Sequence, residues 1–351
     1  MRQAGRRLRR QLTEAFATRW PVGLRAGLSV GIPLVAGALS HHASDGALAS
    51  IGSFAGFYGP DAPYRHRLRL VAGVGVALTV LVPLGSLCAA TAWLSVLLIG
   101  LVAATASFAC LALRVPPPRE YLIVLGVLAA TGIPAGLTAA VREAALVAAG
   151  AVISGVITMA PALGRGRDRP QQRALAQAWS AVRHVLQTAG TPEARAARRQ
   201  AVADVARARE VLDQAGPADT TDRAGGETML RSLAAAGVAL ASALSVSHDA
   251  REPLDPRWVA TAGRLGPGDG PPFHISDRKG SDLPGWRWAL QAARRIEQGD
   301  DSELDVTRLP RPSARARLRA ALNPDAVIVT SAARIGIAVA AGAAVGQALG
   351  L

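Results

Sequence analysis

The amino-acid sequence predicts an all-α, polytopic helical membrane protein: six spans plus a seventh, with a helical cytoplasmic domain between the sixth and the seventh. Three observations predict it. The block 21–163 holds only eleven charged residues, seven Arg and four acids. Its runs 70–87, 92–113 and 121–139 are apolar on every side, and each reaches or approaches the ~20 residues a helix needs to cross a bilayer. Arg residues gather between the runs at alternate ends, as the preference of basic loops for the cytoplasm requires. Whole-chain figures conceal this, because a mean hydropathy of +0.25 averages a very apolar region with a polar one.

Charge divides the chain further. Residues 1–20 carry six Arg against Glu14, 21–163 carry a net +3, 164–325 carry 25 basic against 20 acidic residues, and 326–351 add Arg334. The formal +14 and pI near 11.4 would suit a nucleic-acid binder. Here the basic residues flank apolar runs, so membrane lipid is the expected partner and nucleic acid is not. Cys88 and Cys110 fall in or beside apolar runs and read as small buried hydrophobes.

Taken in order, residues 1–20 space Leu8, Leu12, Ala15, Phe16 and Trp20 helically among Arg, the pattern of an amphipathic helix lying on an anionic leaflet. A signal peptide is the rival, but the following run exceeds the ~7–15 residues of its apolar region. Residues 21–39 form the first span, with Arg25 near its cytoplasmic end. The loop 40–46 carries His41, His42 and Asp45 without Arg and belongs outside. Residues 47–58 are short for a span and read either as re-entrant or as a crossing helped by polar flanks. Arg65, Arg67 and Arg69 then belong to an inside loop, 59–69. The run 70–87 goes out, 92–113 returns, and 114–120 with Pro116, Pro117 and Pro118 is a rigid inside loop. The run 121–139 goes out with a kink at Pro134, 140–143 is an outside turn holding Arg142, and 144–163 returns. Six crossings leave both Met1 and Gly164 in the cytoplasm.

The region 164–325 is of a different material. Residues 171–189 and 192–214 are Ala- and Arg-rich helices broken at Gly190 and Thr191. Residues 228–247 are apolar enough to suggest a span. Crossing there would misplace the later Arg, so they read as the buried helix of the cytoplasmic domain. A Gly/Pro/Asp-rich loop covers 266–284, and 286–298 is a short helix. The last run, 326–351, leaves the cytoplasm again.

Few motifs carry chemistry. Gly27-Leu28-Ser29-Val30-Gly31 matches G-x-S-x-G, but it lies within a span and not on the strand-to-helix turn a hydrolase needs. The same residues, with Gly132–Gly136 and Gly342–Gly346, fit the G-x-x-x-G spacing that lets helices pack closely. His41, His42 and Asp45 read either as a proton or metal relay at the outer face or as a solvated loop. No nucleotide-binding, zinc or paired-carboxylate pattern is present, so neither an enzyme nor a cofactor is expected.

A repeat is more informative. Arg7-Leu8-Arg9-Arg10-Gln11-Leu12 is echoed by Arg317-Leu318-Arg319-Ala320-Ala321-Leu322, and Arg25-Ala26-Gly27-Leu28-Ser29-Val30 by Arg334-Ile335-Gly336-Ile337-Ala338-Val339. The near-equal offsets suggest that a duplicated membrane unit restarts at 326. An Arg-x-Gly-led first span, a short segment ending in Tyr58-Gly59-Pro60, the basic stretch 65–69 and the Gly-rich Val71-Ala72-Gly73-Val74-Gly75 follow one another. In this layout the chain resembles the fusaric acid resistance protein-like (FUSC) family, which includes bacterial aromatic acid exporters.

The resemblance implies a multi-pass protein of the bacterial inner membrane that exports small anionic organic or aromatic acids. It also implies two six-span units around the soluble domain. On that reading 326–351 is the first span of a second, truncated membrane unit, about five spans should follow by analogy, and the seventh helix should be poorly anchored. The chain would then act as a homo-oligomer or with a missing second membrane half. Arg25 and Arg334 are the candidate substrate-binding residues; the rival reading has Arg25 merely snorkel to the headgroups. The alternative is a membrane-anchored scaffold whose domain 164–325 binds a protein partner.

Overall fold

The computed structural model describes residues 20, 23–163, 169–215, 223–250, 252–254, 295–296, 313–322 and 327–349. The expected interfacial helix (1–20, apart from Trp20), the loop 266–284 and all but two residues of 286–298 lie outside them. Among the described residues all regular structure is helical. The chain divides into two compact units: Met1–Pro60 with Arg67–Leu163 and Arg311–Leu351, and Asp61–His66 with Gly164–Pro310.

The first unit holds α1 (Gly23–Leu39), α2 (Ala43–Gly52) running into a 3-10 helix (Ser53–Phe57), α3 (Tyr64–Cys88), α4 (Ala92–Ala112), α5 (Tyr121–Ala130) and α6 (Leu137–Met159). Two later helices lie in the same unit. These are α10 (Ala314–Ala321) and α11 (Val327–Ala348). The helices α3, α4, α6 and α11 are long and apolar enough to cross a membrane. Only 28% of the α6 window is buried, and Val141, Val152 and Val156 stand exposed on it. In water that surface would be a large liability; in a bilayer it is the ordinary lipid-facing side. The chain is an all-α, multi-pass membrane protein.

Close contacts give the helix directions. Gly46 sits against Pro33 and Gly37, so α1 and α2 form an antiparallel hairpin. Gly75 faces Ala151 and Gly155 faces Val71, so α3 and α6 run oppositely. Gly126 meets Leu78 and Val82 while Gly85 meets Val127 and Ala130, so α3 and α5 run together. This is the alternation expected of successive crossings.

Three boundaries differ from the sequence reading. The basic residues 65–69 are not loop: α3 starts at Tyr64, which places Arg67 on the helix face turned inward. The turn between the fifth and sixth runs falls at 131–136, not at 140–143. α5 stops at Ala130, and Gly132, Pro134 and Gly136 carry the chain around, with the Ala135 N–H donating to the Ser86 carbonyl at 3.2 Å. Proline lacks an amide donor and biases its predecessor away from helix, so the chain turns where a kink was expected. Arg142 and Glu143 consequently lie inside α6. α5, with 10 residues, is about 15 Å long, half the ~30 Å of a hydrocarbon core.

The third difference concerns the last helix. The sequence reading places 326–351 in a separate membrane unit and 314–321 in the polar domain; in the structure both α10 and α11 pack on α4. A Cβ on Gly336 would lie 2.7 Å from the Ala104 Cβ, and one on Gly100 2.7 Å from the Ala340 Cβ, so the two backbones touch where both glycines lie. Along that stripe α11 is firmly seated. The rest of its surface is open, with Ile337 and Val345 exposed.

The second unit holds α7 (Arg169–Gln187), α8 (Ala194–Gln214) and α9 (Arg223–Asp249) around a core of its own. Leu175, Trp179, Val182 and Leu186 recur at helical spacing on α7 and are buried. Small residues, Ala197 and Ala201 on α8 with Ala236, Ala239 and Ala243 on α9, let the three helices approach. The Trp179 indole N–H donates to Ser232 Oγ at 3.2 Å. By length and composition α9 could cross a membrane, yet its buried face completes this core. Gly190 makes the α7–α8 turn at φ +73°, and a Cβ there would lie 2.0 Å from the Glu252 carbonyl oxygen.

Candidate functional site

The segment made of α2 and its 3-10 continuation is held closely against α6. α2 and its 3-10 continuation comprise 10 and 5 residues, about 25 Å together, against the ~30 Å of a hydrocarbon core. Its Gly/Ala/Ser face lies directly on α6. A Cβ on Gly150 would lie 1.7 Å from the Ala49 carbonyl oxygen, and one on Gly52 1.9 Å from that of Val147. Where α gives way to 3-10, hydroxyls replace close backbone packing. Ser53 Oγ donates to the Gly150 carbonyl at 3.2 Å, and Ser154 Oγ donates to the Ser53 carbonyl at 3.0 Å. Thr158 Oγ1 follows one turn on, bonded to the Ser154 carbonyl at 2.8 Å. The change of helix type frees the Ser53 carbonyl for Ser154, and the two serines together bridge α2 and α6. Asp45 meets Arg142 at one end and Gly56 meets Ser154 at the other, so α2 and α6 run in the same direction.

Ionisable groups mark both ends of this seam. At the Asp45 end the Arg142 guanidinium donates to the Asp45 carboxylate, with the Arg side chain 62% exposed and the Asp 20%. The next residue of α6, Glu143, is only 7% exposed. At the other end Arg67 is 5% exposed and donates through Nη2 to the Gly56 carbonyl at 3.2 Å. Beyond it Tyr58 is fully buried, its hydroxyl donating to the Arg119 carbonyl. Gly59 follows at φ +60°, a conformation glycine adopts freely, which accounts for the Tyr58-Gly59-Pro60 sequence. Arg114 and Arg119 frame the proline loop at φ +55° and +49°, sparsely populated for residues with a Cβ.

Of the residues singled out from sequence, Asp45 alone is drawn into this arrangement. His41 (φ +61°) and His42 are exposed at the α1–α2 turn, where His42 Nδ1 lies 2.6 Å from the Ser40 carbonyl oxygen. Among the described residues no three His, Cys, Asp or Glu gather closely enough to hold a metal. Arg25 is half-buried on α1 and Arg334 exposed on α11. Sequence reasoning missed Arg67 and Glu143. Arg67 hid in a basic cluster read as loop, and Glu143 in a presumed turn. The available signal was spacing, since Ala140, Glu143, Val147, Gly150, Ser154 and Thr158 follow one helical stripe.

The seam thus sets hydroxyls, a buried cation and a buried carboxyl along a helix contact otherwise lined by small residues. No nucleophile and base are paired in it. Groups of this kind within spans are expensive and mark paths for solutes or protons.

Comparison with known proteins agrees at the level of class. The chain is 29% identical over 195 residues to the uncharacterized membrane protein YvaC of Bacillus subtilis (strain 168), a match covering 55% of this chain and 30% of that protein. The chain therefore spans well under two thirds of the relative's length. No family profile matches the chain, and no solved structure does.

Proposed function

We propose that this protein exports small organic acids, aromatic ones among them, across a bacterial inner membrane, in the manner of the FUSC family it resembles. The observation that supports the reading is the broken second span, with Arg67 buried at one end of its seam and Glu143 at the other. A bundle that only anchors a domain gains nothing from ionisable groups within its packing, since each costs several kcal/mol to bury. In this reading residues 1–20 and 164–325 face the cytoplasm, and the Asp45–Arg142 pair lies at the outer face. Arg25 helps to attract the acid from the inner side. The whole protein works as an oligomer or with a second membrane half, as the length of the relative suggests.

Cells carrying the full-length protein should accumulate less benzoate than a deletion strain. Arg25→Ala should impair that efflux more than Arg25→Lys, because either cation can snorkel but only a cation attracts the acid. Equal accumulation in wild type, Ala variant and deletion strain would overturn the proposal. For the orientation, a Cys at Ala250 in a Cys-free background should resist an impermeant thiol reagent on intact cells; strong labelling there would reverse it. A second reading, a membrane-anchored scaffold, draws on the separate core of α7–α9. It predicts a protein captured by that unit and no effect on acid accumulation.

A further inference from the structure

Glu143 has a role that the acid-export reading does not yet give it. The side chain is 7% exposed in the second turn of α6, and its Oε2 has no hydrogen-bond partner among the described residues. The cation next to it in sequence is unavailable, because the Arg142 guanidinium is turned to Asp45. On its own stripe the neighbours are Ala140 and Val147, which offer no donor. The next hydroxyl there, Ser154, stands eleven residues on, about 16 Å along the axis.

The elements packed against α6 bring little to compensate. α2 contributes Asp45 as its one titratable group, already paired, and the 3-10 helix has none. On α3, the residues Tyr64, Arg65, His66, Arg67 and Arg69 precede Val71, which already meets α6 at Gly155, far from Glu143; Cys88 closes the other end of that helix. A carboxylate oxygen so placed is stabilised by a counter-charge or by taking up a proton. A metal ion would need further ligands, and no three-residue cluster of His, Cys, Asp or Glu is present among the described residues. A proton needs only the carboxylate.

We propose that Glu143 is the proton-carrying site that couples export to the proton gradient. The inference rests on the acid-export reading. A proton from the face where α6 begins adds to a carboxylate oxygen of Glu143 and forms the neutral acid, which the apolar stripe tolerates. On the return step the O–H bond breaks, the proton leaves toward the opposite face, and the carboxylate is regenerated. No electrons move and no other reactant is consumed. The Asp45–Arg142 pair holds the neighbouring cation away, so that Glu143 is free to take and release the proton.

The test uses the full chain in liposomes loaded with benzenesulfonate, an aromatic anion that does not cross lipid unaided. Wild type should move it against its concentration gradient when a pH difference is imposed, and should also exchange it without one. Glu143→Gln should retain exchange and lose gradient-driven movement to the level of empty liposomes, while Glu143→Asp should recover part of it. Gradient-driven movement in Glu143→Gln equal to wild type, or a drive from sodium in place of protons, would overturn the proposal. A readout independent of transport separates this failure from that of the export reading. Infrared difference spectra over a pH titration should show a carboxylic-acid band in wild type that is missing in Glu143→Gln. Its absence in wild type refutes the proton site. Its presence in a protein that moves no acid retains the site and refutes export.

Discussion

Gly150 and Gly52 show how much a single hydrogen atom in place of a methyl group can decide. With a Cβ at either position the α2 and α6 backbones could not approach as they do, since the nearest carbonyl oxygens stand 1.7 and 1.9 Å away. Gly150→Ala should therefore cost about 1–3 kcal/mol, seen as a lower Tm in detergent. Gly27→Ala and Gly31→Ala should stay within about 0.5 kcal/mol of wild type, because a Cβ there meets nothing within 4 Å. The G-x-x-x-G spacing thus named the wrong glycines. Gly136, Gly342 and Gly346 are equally open, while glycines in close contact, among them Gly37, Gly46, Gly52, Gly56, Gly100, Gly150 and Gly336, sit outside the three motifs. Spacing identifies a small-residue stripe, but only the partner helix decides which stripe is covered. The Asp45–Arg142 pair, with its Arg side chain largely exposed, should contribute no more than about 1 kcal/mol in a double-mutant cycle.

At the level of elements, α11 and the α7–α8 turn make opposite demands on glycine. Gly336→Leu should separate α11 from α4, exposing the helix to proteolysis and lowering Tm, whereas Gly346→Leu, on the open face, should do neither. Gly190→Ala acts through backbone conformation as well as space, because its φ of +73° is costly for a residue with a Cβ. It should destabilise the α7–α9 unit by roughly 1–3 kcal/mol, read from the fluorescence of buried Trp179 during denaturation. The break at Gly190 was legible because glycine after a periodic run is a helix stop. The true ends of α5 and α6 were not. An unbroken apolar run does not reveal that the Ala135 amide is held by Ser86 from another helix.

For the whole molecule, the distribution of apolar and charged residues along the chain established the class: long apolar runs with few charges can be satisfied only by helices in lipid, whose backbone bonds are internal. The alternating helix directions were legible too, since Arg-bearing connections at alternate ends leave one consistent path. In the structure α7–α9 gather around a core of their own. The tertiary structure decided the rest. It showed that the weakest-looking segment, α2 with its 3-10 continuation, is held closely against α6, and that the last helix lies on α4. It also turned Arg67 and Glu143 from loop charges into buried ones. The reason is that hydropathy adds up along the chain and is readable from composition. Which atoms come within contact distance depends on pairs of helices far apart in sequence, and that is fixed only when they pack.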